Sequence, residues 1–204
     1  MKRAAMILCM DIGLAALLMP LAIPNRVQIV YNPTDSMPRG WYRIVPADSL
    51  QVGSIVLARL PAPAAALAAQ RGYLPAGVPL LKRIGAVAPQ RVCVDGESVR
   101  IDDEAVAAVT RADGQGRSLS AWQKCRRLVR GEVFLLSSTN PASFDSRYFG
   151  PIAAANVIGS AQPIWTWSSL HEPSLFRRVV GGEPPAGQVA WPVAAGRAVW
   201  FAAP

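Results

Sequence analysis

A chain of 204 residues, 51% hydrophobic and only 17% charged, is long enough for one domain with short appendages and too apolar to be disordered. Its net charge of +8 raises the question of nucleic acid, but the basic residues are scattered. The densest clusters, Lys124 to Arg127 and Arg177-Arg178, come without a zinc, helix-turn-helix or RNA-binding signature, so a solvated face or anionic lipid explains the charge and no nucleic-acid partner is expected.

In chain order, Lys2-Arg3 precede an apolar run from Ala4 to Ile23, about the length that crosses a bilayer core. Asp11 in its middle costs ~3 kcal/mol on insertion scales, which the surrounding Leu, Ile and Met roughly offset. The run is long for a cleaved signal peptide, and Pro20-Leu21-Ala22-Ile23-Pro24 offers no small-x-small cleavage site, so an uncleaved anchor fits better. Basic residues on its N-terminal side leave the short N-terminus inside and the rest of the chain outside. The expected organisation is an anchor over 1–24, one domain over 25–168 and a Pro/Gly-rich tail over 169–204.

From Val27 onward, short apolar and alternating runs bounded by turn residues predict a mostly-β domain of short strands and not a β-α-β sheet. Strands are expected at Gln28 to Tyr31, Trp41 to Val45, Gly53 to Ala58, Leu80 to Val87, Val92 to Val94, Ser98 to Ile101, Glu132 to Leu136 and Asn156 to Trp167. Asp95-Gly96 is a hairpin turn signal, and a short helix over Ala64 to Gln70 ends at Arg71-Gly72. Asp113 to Ser118 and Ser137 to Ser146 read as loops. Cys9 lies in the anchor, whereas Cys93 and Cys125 fall in the exported part, where a disulfide persists; two buried free thiols are the alternative. No Cys-x-x-Cys or Cys/His cluster is present, so neither a metal nor a cofactor is expected.

The chemistry concentrates in Asn32-Pro33-Thr34-Asp35-Ser36-Met37-Pro38-Arg39-Gly40, where a serine sits in a Pro-bounded turn. A serine hydroxyl is a weak nucleophile until a base takes its proton. Histidine usually serves, but the single His171 lies in the polar tail, which argues against a Ser-His-Asp triad. Lysines are scarce too: only Lys2, Lys82 and Lys124 stand among twenty-one basic residues. Lys82, in Leu80-Leu81-Lys82-Arg83-Ile84, sits on an apolar strand that would desolvate it and lower its pKa, as a neutral base requires. Thr34, on an extended segment, is placed to offer an oxyanion donor beside the Ser36 backbone N–H, and Met37-Pro38 to form an apolar wall beside the nucleophile and lie near the lipid. Ser143 is placed to orient the lysine amine, and Asp145 and Arg147, two apart on an extended stretch, to form a bracing ion pair. The bland readings are a Pro-rich loop, a snorkelling lysine at a sheet edge and a surface turn with a weak ion pair.

These motifs, in this order behind an N-terminal anchor, resemble type I signal peptidases: the Ser-Met-Pro turn, the Leu-Leu-Lys-Arg strand and the segment Ser143-Phe144-Asp145-Ser146-Arg147-Tyr148-Phe149-Gly150-Pro151. The wording around Ser36, with Arg71-Gly72-Tyr73-Leu74-Pro75 downstream, is similar to the conjugative-transfer (TraF-type) branch, over roughly Asn25 to Trp167. Ser138-Thr139-Asn140-Pro141 stands where the larger signal peptidases carry a Gly-Asp-Asn-Arg-type run, which favours the shorter branch. The resemblance implies a signal-peptidase-like β fold, Ser36 as nucleophile, Lys82 as general base, Thr34 as oxyanion donor, and Ser143, Asp145 and Arg147 in support. It also implies cleavage after small residues, near the outer face of a bacterial inner membrane, with an exported preprotein or pilin precursor as partner. Two other readings are a self-cleaving peptidase of the LexA type, disfavoured by the anchor, and a non-catalytic periplasmic assembly factor in which Ser36 is incidental. A Ser36→Ala change separates the assembly factor from the peptidases.

Overall fold

The computed structural model describes residues 28–137 and 139–167, together with the helical stretches 9–10 and 12–14. Most of the expected anchor and all of the tail after 168 lie outside the described residues. Among the described residues no helix is long and apolar enough to cross a membrane.

Among the described residues, eleven strands form two sheets. The first runs in the order β1 (Gln28–Asn32), β2 (Arg39–Val45), β11 (Val157–Trp167), β3 (Ile55–Ala58), β4 (Leu80–Val87), β9 (Glu132–Leu136), β10 (Ile152–Ala153). The second runs β7 (Glu104–Ala108), β6 (Ser98–Ile101), β5 (Arg91–Asp95), β8 (Cys125–Arg127). All the pairings are antiparallel. Helix α1 (Ala62–Gln70) links β3 to β4, and the short α2 (Ser146–Phe149) packs on β9.

Strand alternation distributes the core. Phe134 and Leu136 of β9 point to one cluster, with Val92, Val94, Val99 and Ile101 of the small sheet; Val133 and Leu135 point to another, with Val56, Leu80 and Ile84. Buried on both faces, β4 and β9 read in sequence as nearly continuous apolar runs. In contrast, β2 buries Tyr42 and Ile44 and exposes Trp41 and Arg43, the pattern of a half-buried strand.

Met37 is fully buried, in a third cluster with Tyr42, Ile44, Leu57, Leu81 and Ala161. It therefore plugs the fold beneath the serine turn and does not form an apolar wall facing lipid, as the sequence suggests. Gly40 lies just beyond the turn at φ 147°, and a Cβ there would come within 2.1 Å of the Trp165 carbonyl oxygen. Only glycine lets β2 approach β11 this closely.

Candidate active site

Asn32, buried at the end of β1, organises the serine turn. Its Nδ2 donates to the carbonyls of Thr34, Met37 and Pro38 at 3.0, 3.1 and 3.2 Å, and its Oδ1 accepts from the Thr34 N–H at 3.2 Å. The Tyr42 hydroxyl donates to the Pro38 carbonyl at 2.6 Å from below, and burial pushes its pKa up to about 12. One amide thus ties both ends of the turn together, and the half-buried Ser36 is presented at its crest.

Ser36 Oγ lies 3.1 Å from Thr34 Oγ1, so the two hydroxyls do share one side. Thr34 Oγ1, however, donates its single proton to Asn32 Oδ1 at 2.9 Å. That leaves Thr34 an acceptor for the Ser36 proton in this arrangement. Donation to an oxyanion requires its hydroxyl to turn away from Asn32.

Lys82 is 3% exposed. Leu80 and Ile84 lie two residues away on its own face of β4, and Val56 stands opposite on β3. Its Nζ donates to Ser143 Oγ at 2.5 Å. Burial lowers its pKa to about 8; Arg147 pushes in the same direction, while Asp145 and Asp35 oppose. Burial outweighs the carboxylates, and the amine is half neutral near pH 8 instead of near 10.5.

Asp145 and Arg147 form a bidentate pair, Nε to Oδ1 and Nη2 to Oδ2, both at 2.8 Å, with both side chains almost wholly buried. The stretch is not extended as the sequence suggests. Asp145 caps α2, its Oδ1 accepting from the Arg147 N–H, and Arg147 lies within the helix. A carboxylate that accepts from the first helical turn satisfies donors otherwise left orphaned. Arg147 also donates to the carbonyls of Ala108 at 2.9 Å, Ser143 at 3.1 Å and Pro141. The pair is thus no weak surface contact; it shapes the whole 140–147 loop and with it the position of Ser143.

Three further residues join the serine turn to this loop. The register that pairs Arg83 with Leu136 brings Ser137 alongside Lys82. The Ser137 hydroxyl donates to the Ser36 carbonyl at 2.6 Å, and the Ser137 N–H to Asp145 Oδ2 at 2.8 Å. Thr139 Oγ1 donates to the Asp35 carbonyl, and Asn140 Nδ2 to Asp35 Oδ1 at 3.0 Å. The sequence by itself assigns no role to Asn32, Ser137, Thr139 or Asn140. The Asn-Pro start of the turn, a common Asx-turn signal, is the one cue that points to Asn32.

Ser36, Thr34, Lys82, Ser143, Asp145 and Arg147 thus gather in one linked site. Cys93 and Cys125 stand apart from it, paired between β5 and β8 and joined by a disulfide. Among the described residues no group of three or more His, Cys, Asp or Glu side chains is placed to hold a metal ion.

Comparison with known proteins places this arrangement in a class. The profile of the signal peptidase family (signal peptidase, peptidase S26) matches residues 1–167, and the chain belongs to that family. Among its relatives, a probable conjugal transfer protein TraF of Sinorhizobium fredii is 41% identical over 147 residues, spanning 67% of this chain and 77% of that protein. A conjugal transfer protein TraF of Agrobacterium tumefaciens is 34% identical over 149 residues, spanning 67% and 81%. A signal peptidase I from Enterococcus faecalis is 20% identical, covers 55% of this chain and 97% of its own, and superposes with a TM-score of 0.35.

Proposed function

We propose that this chain is a membrane-bound serine endopeptidase of the conjugative-transfer branch, with Ser36 as nucleophile and Lys82 as general base. The observation that carries the reading is the buried Lys82 amine, held by Ser143 while Ser137 ties its loop to the carbonyl of Ser36. A lysine whose charged form is penalised by burial serves as a base where an arginine cannot.

In the proposed cycle the Ser36 hydroxyl turns from Thr34 toward the neutral Lys82 amine. Its oxygen attacks the scissile carbonyl while Nζ takes the proton. The tetrahedral oxyanion is met by the Ser36 backbone N–H, joined by the Thr34 hydroxyl once that group leaves Asn32. Collapse expels the leaving amine, which receives the proton from Lys82, and an acyl-enzyme on Ser36 remains. Water, deprotonated by the same amine, or an incoming substrate amine then resolves the ester.

The substrate is proposed to be an exported precursor, a preprotein or conjugative pilin, at the periplasmic face of the inner membrane. The conjugal transfer names of the relatives favour that choice. A membrane setting is favoured by one exposed face of β1, β2 and β11: Ile29, Tyr31, Trp41, Trp165 and Trp167, interleaved with Arg39 and Arg43. Indole and phenol rings beside arginines suit the headgroup boundary of a bilayer. On this reading the anchor over Ala4 to Ile23 confines enzyme and tethered precursor to one plane, raising their effective concentration.

The test is mass spectrometry of exported proteins from cells carrying the wild type, Ser36→Ala or no chain. A precursor shortened only by the wild type supports the reading. A full set of mature termini with Ser36→Ala would leave the assembly-factor alternative standing.

A further inference from the structure

The Arg71-Gly72-Tyr73 motif, which the proposed chemistry does not use, is locked into a network of its own. Helix α1 ends at Arg71, and Gly72 at φ 71° turns the chain so that the Tyr73 N–H bonds the Ala68 carbonyl at 2.9 Å. The half-buried Tyr73 then donates its hydroxyl to Asp113 Oδ2, forty residues away. The Asp113 side chain is 6% exposed and also accepts from Arg117 Nε at 2.7 Å and from the N–H groups of Gln115 and Arg117 at 3.0 and 2.9 Å. The Tyr73 hydroxyl bond and the Arg117 donors hold its carboxyl well below the usual carboxylate range. Arg117 closes the circuit by donating to the Arg71 carbonyl at 3.0 Å, with its guanidinium 5.5 Å over the Tyr73 ring.

The other edge of Tyr73 meets the site. Its ring lies 5.3 Å from that of Phe144, which stacks on Tyr148 at 5.9 Å and meets Phe149 edge-on at 5.4 Å. Phe144 stands between Ser143, which accepts from the Lys82 amine, and Asp145, which holds Arg147. Tyr148 and Phe149 belong to α2, so among the described residues Tyr73 is the one ring against Phe144 that comes from a different part of the chain.

We propose that Tyr73, latched by Asp113, is a positioning residue that acts through Phe144 and Ser143 on the Lys82 amine. The inference rests on the reading of Lys82 as general base. The groups whose charge reaches Lys82 are Asp145 and Arg147 around α2 and Asp35 of the serine turn; none belongs to the latch. The latch therefore works by packing. With Phe144 seated, Ser143 stays over the amine and water stays out. With Phe144 loosened, water reaches Lys82 and its charged form is favoured again.

The chain holds only three lysines, Lys2, Lys82 and Lys124, which permits a direct readout. Full-length protein in detergent micelles, labelled with 13C at lysine Cε, is titrated by NMR, with Lys82 assigned by loss of its signal in Lys82→Arg. Tyr73→Phe keeps the ring and loses the hydroxyl, whereas Tyr73→Leu loses both; Asp113→Asn provides a milder variant should Tyr73→Leu not fold. The expected result is a Lys82 pKa raised by about half a unit in Tyr73→Phe and Asp113→Asn and about one unit in Tyr73→Leu. Peptide cleavage should fall about tenfold near neutral pH in Tyr73→Leu and recover at alkaline pH. A purely structural tyrosine would lower the yield of folded protein without moving the titration. An unchanged Lys82 pKa in folded Tyr73→Phe and Asp113→Asn overturns the proposal. If the titration moves but even the wild type cleaves nothing, the latch stands and the peptidase reading fails.

Discussion

The four-stranded sheet buries Val92, Val94, Val99 and Ile101 against Phe134 and Leu136, and leaves its ion pairs Arg91–Asp103 and Arg111–Glu97 in solvent. The seven-stranded sheet and the loop against it do the reverse, enclosing Lys82, Asp145, Arg147 and Asn32. Charge in solvent costs little and contributes little. Enclosed charge is costly unless every donor and acceptor finds a partner. The site meets that condition for Asp145 and Arg147, which bind each other and surrounding backbone groups. For Lys82 it falls short, offering one neutral hydroxyl to an ammonium with three donors, so the amine is pressed toward its neutral form. The small sheet keeps its charges in solvent, and the large one bears the cost of burying an amine.

Substitutions in the two regions should therefore differ in kind. The largest effect is expected from Ser36→Ala, which should abolish peptide cleavage in a purified-enzyme assay and leave the unfolding midpoint nearly unchanged. Arg147→Ala should follow, since it strands a buried carboxylate and four carbonyls. A loss of ~3–5 kcal/mol is expected in urea unfolding, and a loss below ~1 kcal/mol would mean that water replaces the guanidinium. Replacing Cys93 and Cys125 together by serine opens a loop with a sequence separation of 32 and should cost ~2–4 kcal/mol, with cleavage by the folded fraction unaltered.

Lys82→Met should move stability the other way. The folded pKa is about 8 against an ordinary lysine value of 10.5, so the unfolded chain binds the extra proton between those limits. Stability contributed by this group therefore rises with pH from about 8 to about 10.5, and below 8 the full penalty applies, roughly 3 kcal/mol by linkage. Removing the amine should stabilise the domain by ~1–3 kcal/mol at neutral pH, less the partner lost by Ser143, and abolish activity. The gain should vanish at strongly alkaline pH; a gain independent of pH would point to packing alone. The smallest effect is expected from Arg111→Ala, in the loop after β7, within ~0.5 kcal/mol by the same unfolding assay.

How far the molecule is legible in its sequence follows the same division. Strands β4 and β9 are visible as uninterrupted apolar runs, and their observed limits coincide with the expected ones, Leu80–Val87 and Glu132–Leu136. Strand β7, Glu-Ala-Val-Ala-Ala, and β8, Cys-Arg-Arg, carry neither alternation nor β-branched density, and it is pairing with β6 and β5 that makes them strands. The residues brought together in the site stand out by scarcity: one histidine in the wrong place and one lysine on an apolar strand. What scarcity does not convey is their wiring. Asn32 looks like any turn asparagine until its amide is seen to span the turn, and Ser137 gains meaning only from the register of β4 with β9. The shape of the 145–147 stretch is likewise hidden, because a helix of one turn is set by its Asp145 cap and not by periodicity.

The central claim, that buried Lys82 is the base for Ser36, is tested most directly by kcat/KM against pH for the wild type and Lys82→Arg on a soluble peptide. For the wild type, activity should rise as the amine loses its proton and level off above about 8. For Lys82→Arg, no turnover is expected at any pH, because a guanidinium keeps its proton throughout. A wild-type profile flat from about pH 6 to about pH 10, or a Lys82→Arg enzyme near the wild-type rate, would contradict the account.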